Sequence, residues 1–112
     1  KVLVVGGKGK LTLAEIYDPE TDTWTLAGET NKSRGDHAAL LLGDGSVLVT
    51  GGIGYLTDTE IFDPNTLAWS IAGTLNTGRI RPAVTRLSDG RVLIMAGVGK
   101  DGMLASVEVY QD

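Results

Sequence analysis

The sequence predicts an all-β protein built from repeated four-stranded antiparallel units, and three observations carry that prediction. Val-Leu-Val-Val-Gly-Gly at 2–7, Val-Leu-Val-Thr-Gly-Gly at 47–52 and Val-Leu-Ile-Met-Ala-Gly at 92–97 start 45 residues apart each time. Short apolar or β-branched runs are bounded by Gly, Pro, Asp and Asn, the pattern of strands separated by turns. No stretch places its apolar residues at helical spacing.

The register extends well beyond the glycines. Glu15-Ile16-Tyr17-Asp18-Pro19 recurs as Glu60-Ile61-Phe62-Asp63-Pro64, Trp24 as Trp69, Gly28 as Gly73, Arg34 as Arg79 and Asp44-Gly45 as Asp89-Gly90, each at the same spacing of 45. A period in this range, with a strand run ending in paired glycines, is that of propeller blades. The middle unit predicts four strands, at 37–42, 47–50, 59–62 and 69–72. By the repeat, the first unit supplies strands 2, 3 and 4 (2–5, 14–17, 24–27) and the third supplies strands 1, 2 and 3 (82–87, 92–95, 106–110). The expectation is one propeller domain over 1–112, with blade 1 at 1–30, blade 2 at 31–75 and blade 3 at 76–112. Ten strands make about two and a half blades. Closed propellers need roughly 4–8, so the open faces are expected to be covered by the rest of a longer propeller or by further copies of the chain.

The turns follow from the same residues. Asp44-Gly45 and Asp89-Gly90 join strands 1 and 2, and this dipeptide accepts positive φ at both central positions of a two-residue hairpin. Strands 3 and 4 are joined through Asp18-Pro19 and Asp63-Pro64, where Pro presets φ and Asp can close the turn on its own backbone.

At this point the residues resemble the kelch family of β-propellers: a strand, Gly-Gly, then Tyr17 or Phe62, then Trp24 or Trp69, with Arg34 and Arg79 ahead of the next unit's first strand. The Asp-Gly-x-Val-Leu and Tyr-Asp-Pro-x-Thr wording is most similar to the kelch blades of bacterial and galactose-oxidase-like proteins. The resemblance covers the whole chain and implies structural roles for Gly6, Gly7, Gly51, Gly52, Tyr17, Phe62, Trp24 and Trp69. Each Trp is expected to bury roughly 150–250 Å² between blades, an upper bound of about 4–6 kcal/mol. The third unit departs, because Ala96-Gly97 replaces Gly-Gly and its 2–3 loop is longer by three residues, with Gly97 to Glu108 eleven positions apart where Gly52 to Glu60 is eight.

Composition sets bounds. A net charge of −4, pI near 4.8 and ten scattered basic residues argue against a nucleic-acid surface or an anionic membrane surface. The longest apolar run is far below the roughly 20 residues of a membrane-spanning helix, so no membrane insertion is expected. With no cysteine there is neither disulfide nor thiolate metal site. The compartment stays open, an extracellular or periplasmic one being favoured over the cytoplasm.

Candidate binding residues follow from chain direction. In a four-stranded meander the 1–2 and 3–4 turns lie on one face of the blade, and the 2–3 loops and 4–1 connections on the other. The first face repeats almost unchanged. On the second, Gly35-Asp36-His37 stands where Ile80-Arg81-Pro82 stands one unit later, Lys8-Gly9-Lys10-Leu11-Thr12 faces Ile53-Gly54-Tyr55-Leu56-Thr57, and the third unit offers Val98-Gly99-Lys100-Asp101-Gly102-Met103. Variable loops on a repeated scaffold are the usual place for recognition. Asp36, His37, Tyr55, Arg81, Lys100 and Asp101 are therefore the candidate contacts. Arg79, Arg81 and Arg86 form a candidate anion or carboxylate contact, although Arg79, like Arg34, equally suits a role tying blades together. His37 equally suits the start of an innermost strand.

No catalytic constellation is visible. Ser33, Asp36 and His37 are neighbours in a loop and have no oxyanion hole, and Gly-Lys-Gly-Lys at 7–10 lacks the glycines and helix of a phosphate loop. The galactose-oxidase-like resemblance would imply copper held by histidine and tyrosine, with a cysteine-linked tyrosine. With one histidine and no cysteine the segment lacks that set, so no metal or other cofactor is expected. The reading is a module binding a protein or peptide through its 2–3 and 4–1 loops. The alternatives are a carbohydrate-binding propeller of a secreted protein and the scaffold of a propeller enzyme whose catalytic residues lie elsewhere.

Overall fold

The computed structural model describes residues 1–7, 9 and 11–111; Lys8 and Lys10 of the first 2–3 loop, and Asp112, lie outside the described residues. Among the described residues every regular element is a strand. The first sheet is β1 (Val2–Val5), β2 (Leu13–Asp18) and β3 (Thr23–Glu29) in that order. The second is β4 (Ala38–Leu41), β5 (Val47–Thr50), β6 (Asp58–Asp63) and β7 (Ala68–Thr74), also in chain order. The third has β8 (Ala83–Arg86) beside β9 (Val92–Met95), and β9 beside β12 (Val107–Tyr110). Between them in sequence, β10 (Val98–Gly99) and β11 (Gly102–Met103) form a small hairpin inside the longer third loop.

All pairings are antiparallel and keep the repeat: Leu3 faces Ile16 as Leu48 faces Ile61, and Tyr17 faces Trp24 as Phe62 faces Trp69. The outermost strands β3 and β7 each carry a bulge, between Leu26 and Glu29 opposite Leu13–Glu15 and between Ile71 and Gly73 opposite Thr59–Glu60. The bulge leaves Ala27 outside the ladder register, and its carbonyl accepts the Trp69 indole N–H of the next blade at 2.9 Å. The aromatic pairs Tyr17–Trp24 and Phe62–Trp69 stack alike, with centroids 5.0 and 4.9 Å apart.

The blades pack face to face. Leu42, Leu48, Leu75, Val92 and Ile94 are buried between the second and third, joined by Leu40, Ile61 and Val84. Ala14, Ala27 and Phe62 are buried between the first and second, with Leu3, Val5 and Trp69 against them. One expectation fails at this point: Trp24 is 56% exposed. Trp69 rests on the blade preceding its own, and within this chain no blade stands on that side of Trp24.

The two turn types separate. Asp18 and Asp63 close their turns as expected, each carboxylate accepting the amide two residues on, at 3.0 Å from Glu20 and 2.9 Å from Asn65. Asp-Gly behaves otherwise. Only the glycines take positive φ, Gly45 at 91° and Gly90 at 93°. Gly45 N–H bonds to Leu42 carbonyl and Leu42 N–H to Ser46 carbonyl, which makes a three-residue loop ending in a left-handed glycine. Asp44 stays at negative φ because its carboxylate accepts both the backbone amide and the hydroxyl of Ser46.

Candidate functional site

The 2–3 loops and 4–1 connections form one continuous seam along one edge of the three sheets. Gly7 N–H donates to Arg34 carbonyl at 2.7 Å, Ile53 N–H to Gly35 carbonyl at 2.8 Å, Gly52 N–H to Arg79 carbonyl at 2.8 Å and Arg81 N–H to Asp36 carbonyl at 2.8 Å. Ile80 and Val98 exchange both bonds at 2.8 Å. The paired glycines make this possible. A side chain on Gly6 would overlap the Arg34 carbonyl oxygen, and a Cβ on Gly51 would lie 2.7 Å from that of Arg79.

Arg34 and Arg79 anchor the seam. Arg34 is fully buried; its Nε and Nη2 bond to one Glu60 oxygen at 3.1 and 2.8 Å, and its Nη1 reaches Gly51 carbonyl at 2.9 Å. The other Glu60 oxygen accepts Asn31 N–H at 2.7 Å. One unit later Arg79 bonds to Glu108, Ala96 carbonyl and Ser106, and Glu108 takes the amides of Asn76 and Thr77. Arg79 is thus removed from the candidate contacts, since it has no exposed surface and its charge is committed to Glu108. Glu60 and Glu108 were missed as partners, although a glutamate recurring in step with an arginine is the signal that pairs them.

Four of the candidate residues do come together. Asp36 and Arg81 occupy equivalent positions in successive connections, at φ 52° and 54°, and their side chains pair at 3.3 Å while 39% and 74% exposed. Tyr55, at φ 55°, holds its carbonyl against Gly78 of the second connection. Left-handed backbone at a non-glycine residue costs on the order of 1 kcal/mol; Asp36, Tyr55, Arg81 and Ala96 hold it on this face, and Asp22 and Leu67 hold it in the 3–4 turns of the opposite face. His37 is half-buried, its ring over Gly6 and its Cβ against Gly52. Its Nδ1 is buried without a partner. Burial pushes the imidazole below its ordinary pKa, the Arg34 guanidinium adds to this, and Asp36 opposes it.

The other candidates stand apart. Lys100 and Asp101 are exposed at the tip of the β10–β11 hairpin. Arg86 lies at the opposite end of β8, its Nη1 3.4 Å from Leu41 carbonyl, so Arg79, Arg81 and Arg86 do not converge on one anion. No three His, Cys, Asp or Glu side chains gather among the described residues, and the donor set of a histidine–tyrosine copper centre does not fit this segment.

No family model and no curated protein matches the sequence. Among solved structures, the chain is similar to a fungal alcohol oxidase of the AA5 family determined in complex with copper, with a TM-score of 0.78 and 18% identity. The match covers 97% of this chain and 25% of that one, so the chain spans about a quarter of the oxidase's length. At that identity the likeness concerns the fold alone. The chain is a β-propeller segment of about two and a half four-stranded blades.

Proposed function

We propose that the segment belongs to a kelch-type propeller that recognises a protein or peptide through its 2–3 and 4–1 loop face. The observation that carries this reading is the Asp36–Arg81 pair, which joins two successive connections at 3.3 Å and stays exposed on the face where the units differ. Exposed polar side chains on the variable loops of a repeated scaffold are the usual place for recognition. A peptide-display selection tests it. Sequences recovered on the 112-residue chain should fail to bind a variant carrying Asp36→Ala, His37→Ala, Tyr55→Ala and Arg81→Ala while its thermal midpoint stays near that of the parent. Equal binding by both proteins overturns the reading.

A second reading draws on the likeness to the copper-containing oxidase: these blades serve as scaffold for an enzyme whose catalytic groups come from other parts of a longer chain. Alanine at the same four positions would then leave turnover of that longer protein unchanged. A glycan array carries the carbohydrate alternative, for which Tyr55 is the aromatic side chain on this face.

A further inference from the structure

We propose that Asp101 is a site of spontaneous conversion to isoaspartate, which begins when the Gly102 amide nitrogen closes on the Asp101 side-chain carboxyl. The chain contains three Asp-Gly dipeptides, at 44–45, 89–90 and 101–102. Glycine has no Cβ to hinder that approach, so all three have the sequence for the reaction, and all three aspartates are exposed. What separates them is how each carboxyl is held.

Asp44 and Asp89 are tied down. The Asp44 carboxylate accepts the Ser46 amide at 2.9 Å and the Ser46 hydroxyl, and that of Asp89 accepts the Arg91 amide at 3.1 Å and Arg91 Nε at 2.8 Å. The nitrogens that would attack are held as well: Gly45 N–H donates to Leu42 carbonyl at 3.1 Å and Gly90 N–H to Leu87 carbonyl at 3.0 Å. The Ser46 hydroxyl above all holds the Asp44 carboxyl below the usual carboxylate range, and the Arg91 amide above all does so for Asp89. That depletes the neutral acid from which water can leave. Both turns also lie between strands locked in register, β4 with β5 and β8 with β9.

Asp101 lacks these restraints. No hydrogen bond or ion pair engages its carboxylate among the described residues. It stands at the tip of the β10–β11 hairpin, whose ladder is only Val98 with Met103 and Gly99 with Gly102. A hairpin of that size is marginal on its own and opens at little cost, which gives the side chain the rotation that ring closure requires. The tips of the first two 2–3 loops show that such a position keeps its access to solvent: Gly9, Ile53 and Gly54 are exposed although a connection packs against each loop. In the reaction the Gly102 nitrogen bonds to Asp101 Cγ, the carboxyl hydroxyl leaves as water with the amide proton, and a cyclic imide results. Solvent water then opens one of the two imide carbonyl bonds. One opening restores aspartate; the other leaves Gly102 linked through Cγ and the former main-chain carbonyl as a free carboxylate. Only water leaves and returns. The main chain then runs through Cβ and Cγ, which lengthens the loop and breaks the register of Val98 with Met103.

The test is prolonged incubation of the intact 112-residue chain at neutral pH and physiological temperature. Isoaspartate is quantified by methyl transfer from S-adenosylmethionine with an isoaspartyl methyltransferase and located by peptide mapping. It should accumulate at 101, with conversion at 44 and 89 slower by about tenfold or more, the factor that a hydrogen bond to a charged group supplies. In unfolding urea the three sites should convert at comparable rates, because the restraints on Asp44 and Asp89 are then gone. Asp101→Glu, whose longer side chain would have to close a larger ring, should remove the signal from the folded chain and, at an exposed tip, leave the urea midpoint unchanged. The proposal is overturned by absence of isoaspartate at 101, by equal conversion at all three sites in the folded chain, or by a preference for 101 that persists undiminished in urea, which would assign it to neighbouring sequence and not to the fold.

Discussion

Three glutamates at one position of the repeat offer a graded test of what holds the blades together. Glu60 is fully buried against Arg34, Glu108 is 13% exposed against Arg79, and Glu15 is exposed with no ion pair among the described residues. Glu→Gln at each position keeps the shape and one acceptor oxygen but removes the charge. At Glu60 it strands a guanidinium with no exposed surface, and breaking a buried pair from one side costs about 3–5 kcal/mol. At Glu108 partial exposure returns some solvation to the pair, and about 2–3 kcal/mol is expected. At Glu15 the change should stay within about 0.5 kcal/mol. A chain of 112 residues has total stability on the order of 10 kcal/mol, so the Glu60 variant should still fold with a clearly lowered urea midpoint. The assay is urea unfolding followed by tryptophan emission, with m held constant across the series. Replacing Arg34 and Glu60 together by Met should recover most of the loss, since it removes both charges and leaves none buried alone. Equal costs at all three positions, or less than about 1 kcal/mol at Glu60, would refute the argument. A double variant as unstable as Glu60→Gln would move the stabilisation from the charge pair to the bonds with Gly51 and Asn31.

The remaining expectations concern packing, backbone and pH. Trp69→Ala should cost about 3 kcal/mol, the low end for a tryptophan that keeps some exposure and loses one hydrogen bond, whereas Trp24→Ala should cost under about 1 kcal/mol; thermal unfolding of the two distinguishes them. Gly51→Ala should destabilise by about 2–4 kcal/mol, combining left-handed strain with the contact at Arg79 carbonyl, while Ala96→Gly, at φ 57°, should stabilise by up to about 1 kcal/mol. For His37 the sign follows from its depressed pKa. The unfolded chain binds the proton more readily, so stability is full above the ordinary value of 6.5 and falls as pH drops through it towards the folded value. His37→Gln should flatten that acid-side loss in urea melts at pH 5 to 8, and an unchanged profile would remove His37 as its source.

Much of the fold was legible because strand, turn and spacing repeat together. Every predicted strand exists, with β2, β3, β6 and β7 each longer at the ends than the apolar pattern marks. What escaped the sequence depends on neighbours that lie far away along the chain. Asp-Gly allows several hairpins, and both loops form as three-residue loops in which the Asp carboxylate accepts the amide two residues on, Ser46 N–H for Asp44 and Arg91 N–H for Asp89. The extra residues of the third loop announced a longer loop, but its pairing of Val98 with Met103 and with Ile80 requires the connection running beside it. Arg79 was open to two readings because an arginine beside a variable loop looks the same whether it points in or out. Its glutamate, twenty-nine residues on, settles which. Trp24 carried the correct motif and the wrong exposure, since Trp69 is covered by the blade before its own and Trp24 has no such cover among the described residues.

Ala96 shows how the same logic reaches the third unit. At Gly6 and Gly51 the space a Cβ would take is occupied by the carbonyl oxygen of the next connection, so glycine is required wherever a following blade crosses at that distance. Ala96 holds the same left-handed backbone and places a Cβ in that space. A connection crossing there must therefore run farther from β9 than its two predecessors run from β1 and β5. The longer third loop, folded as β10 and β11, meets the preceding connection, Val98 pairing with Ile80. The face proposed for recognition is thus regular over two blades and different at the third, while the turn face keeps its Asp-Pro and Asp-Gly geometry wherever both units have it. A ligand bound across the seam would meet an asymmetric surface on a symmetric scaffold. Exchanging residues 96–106 for 51–58 should accordingly change which peptides the chain selects while leaving β8, β9 and β12 paired, and unchanged selection would confine recognition to the Asp36–Arg81 side.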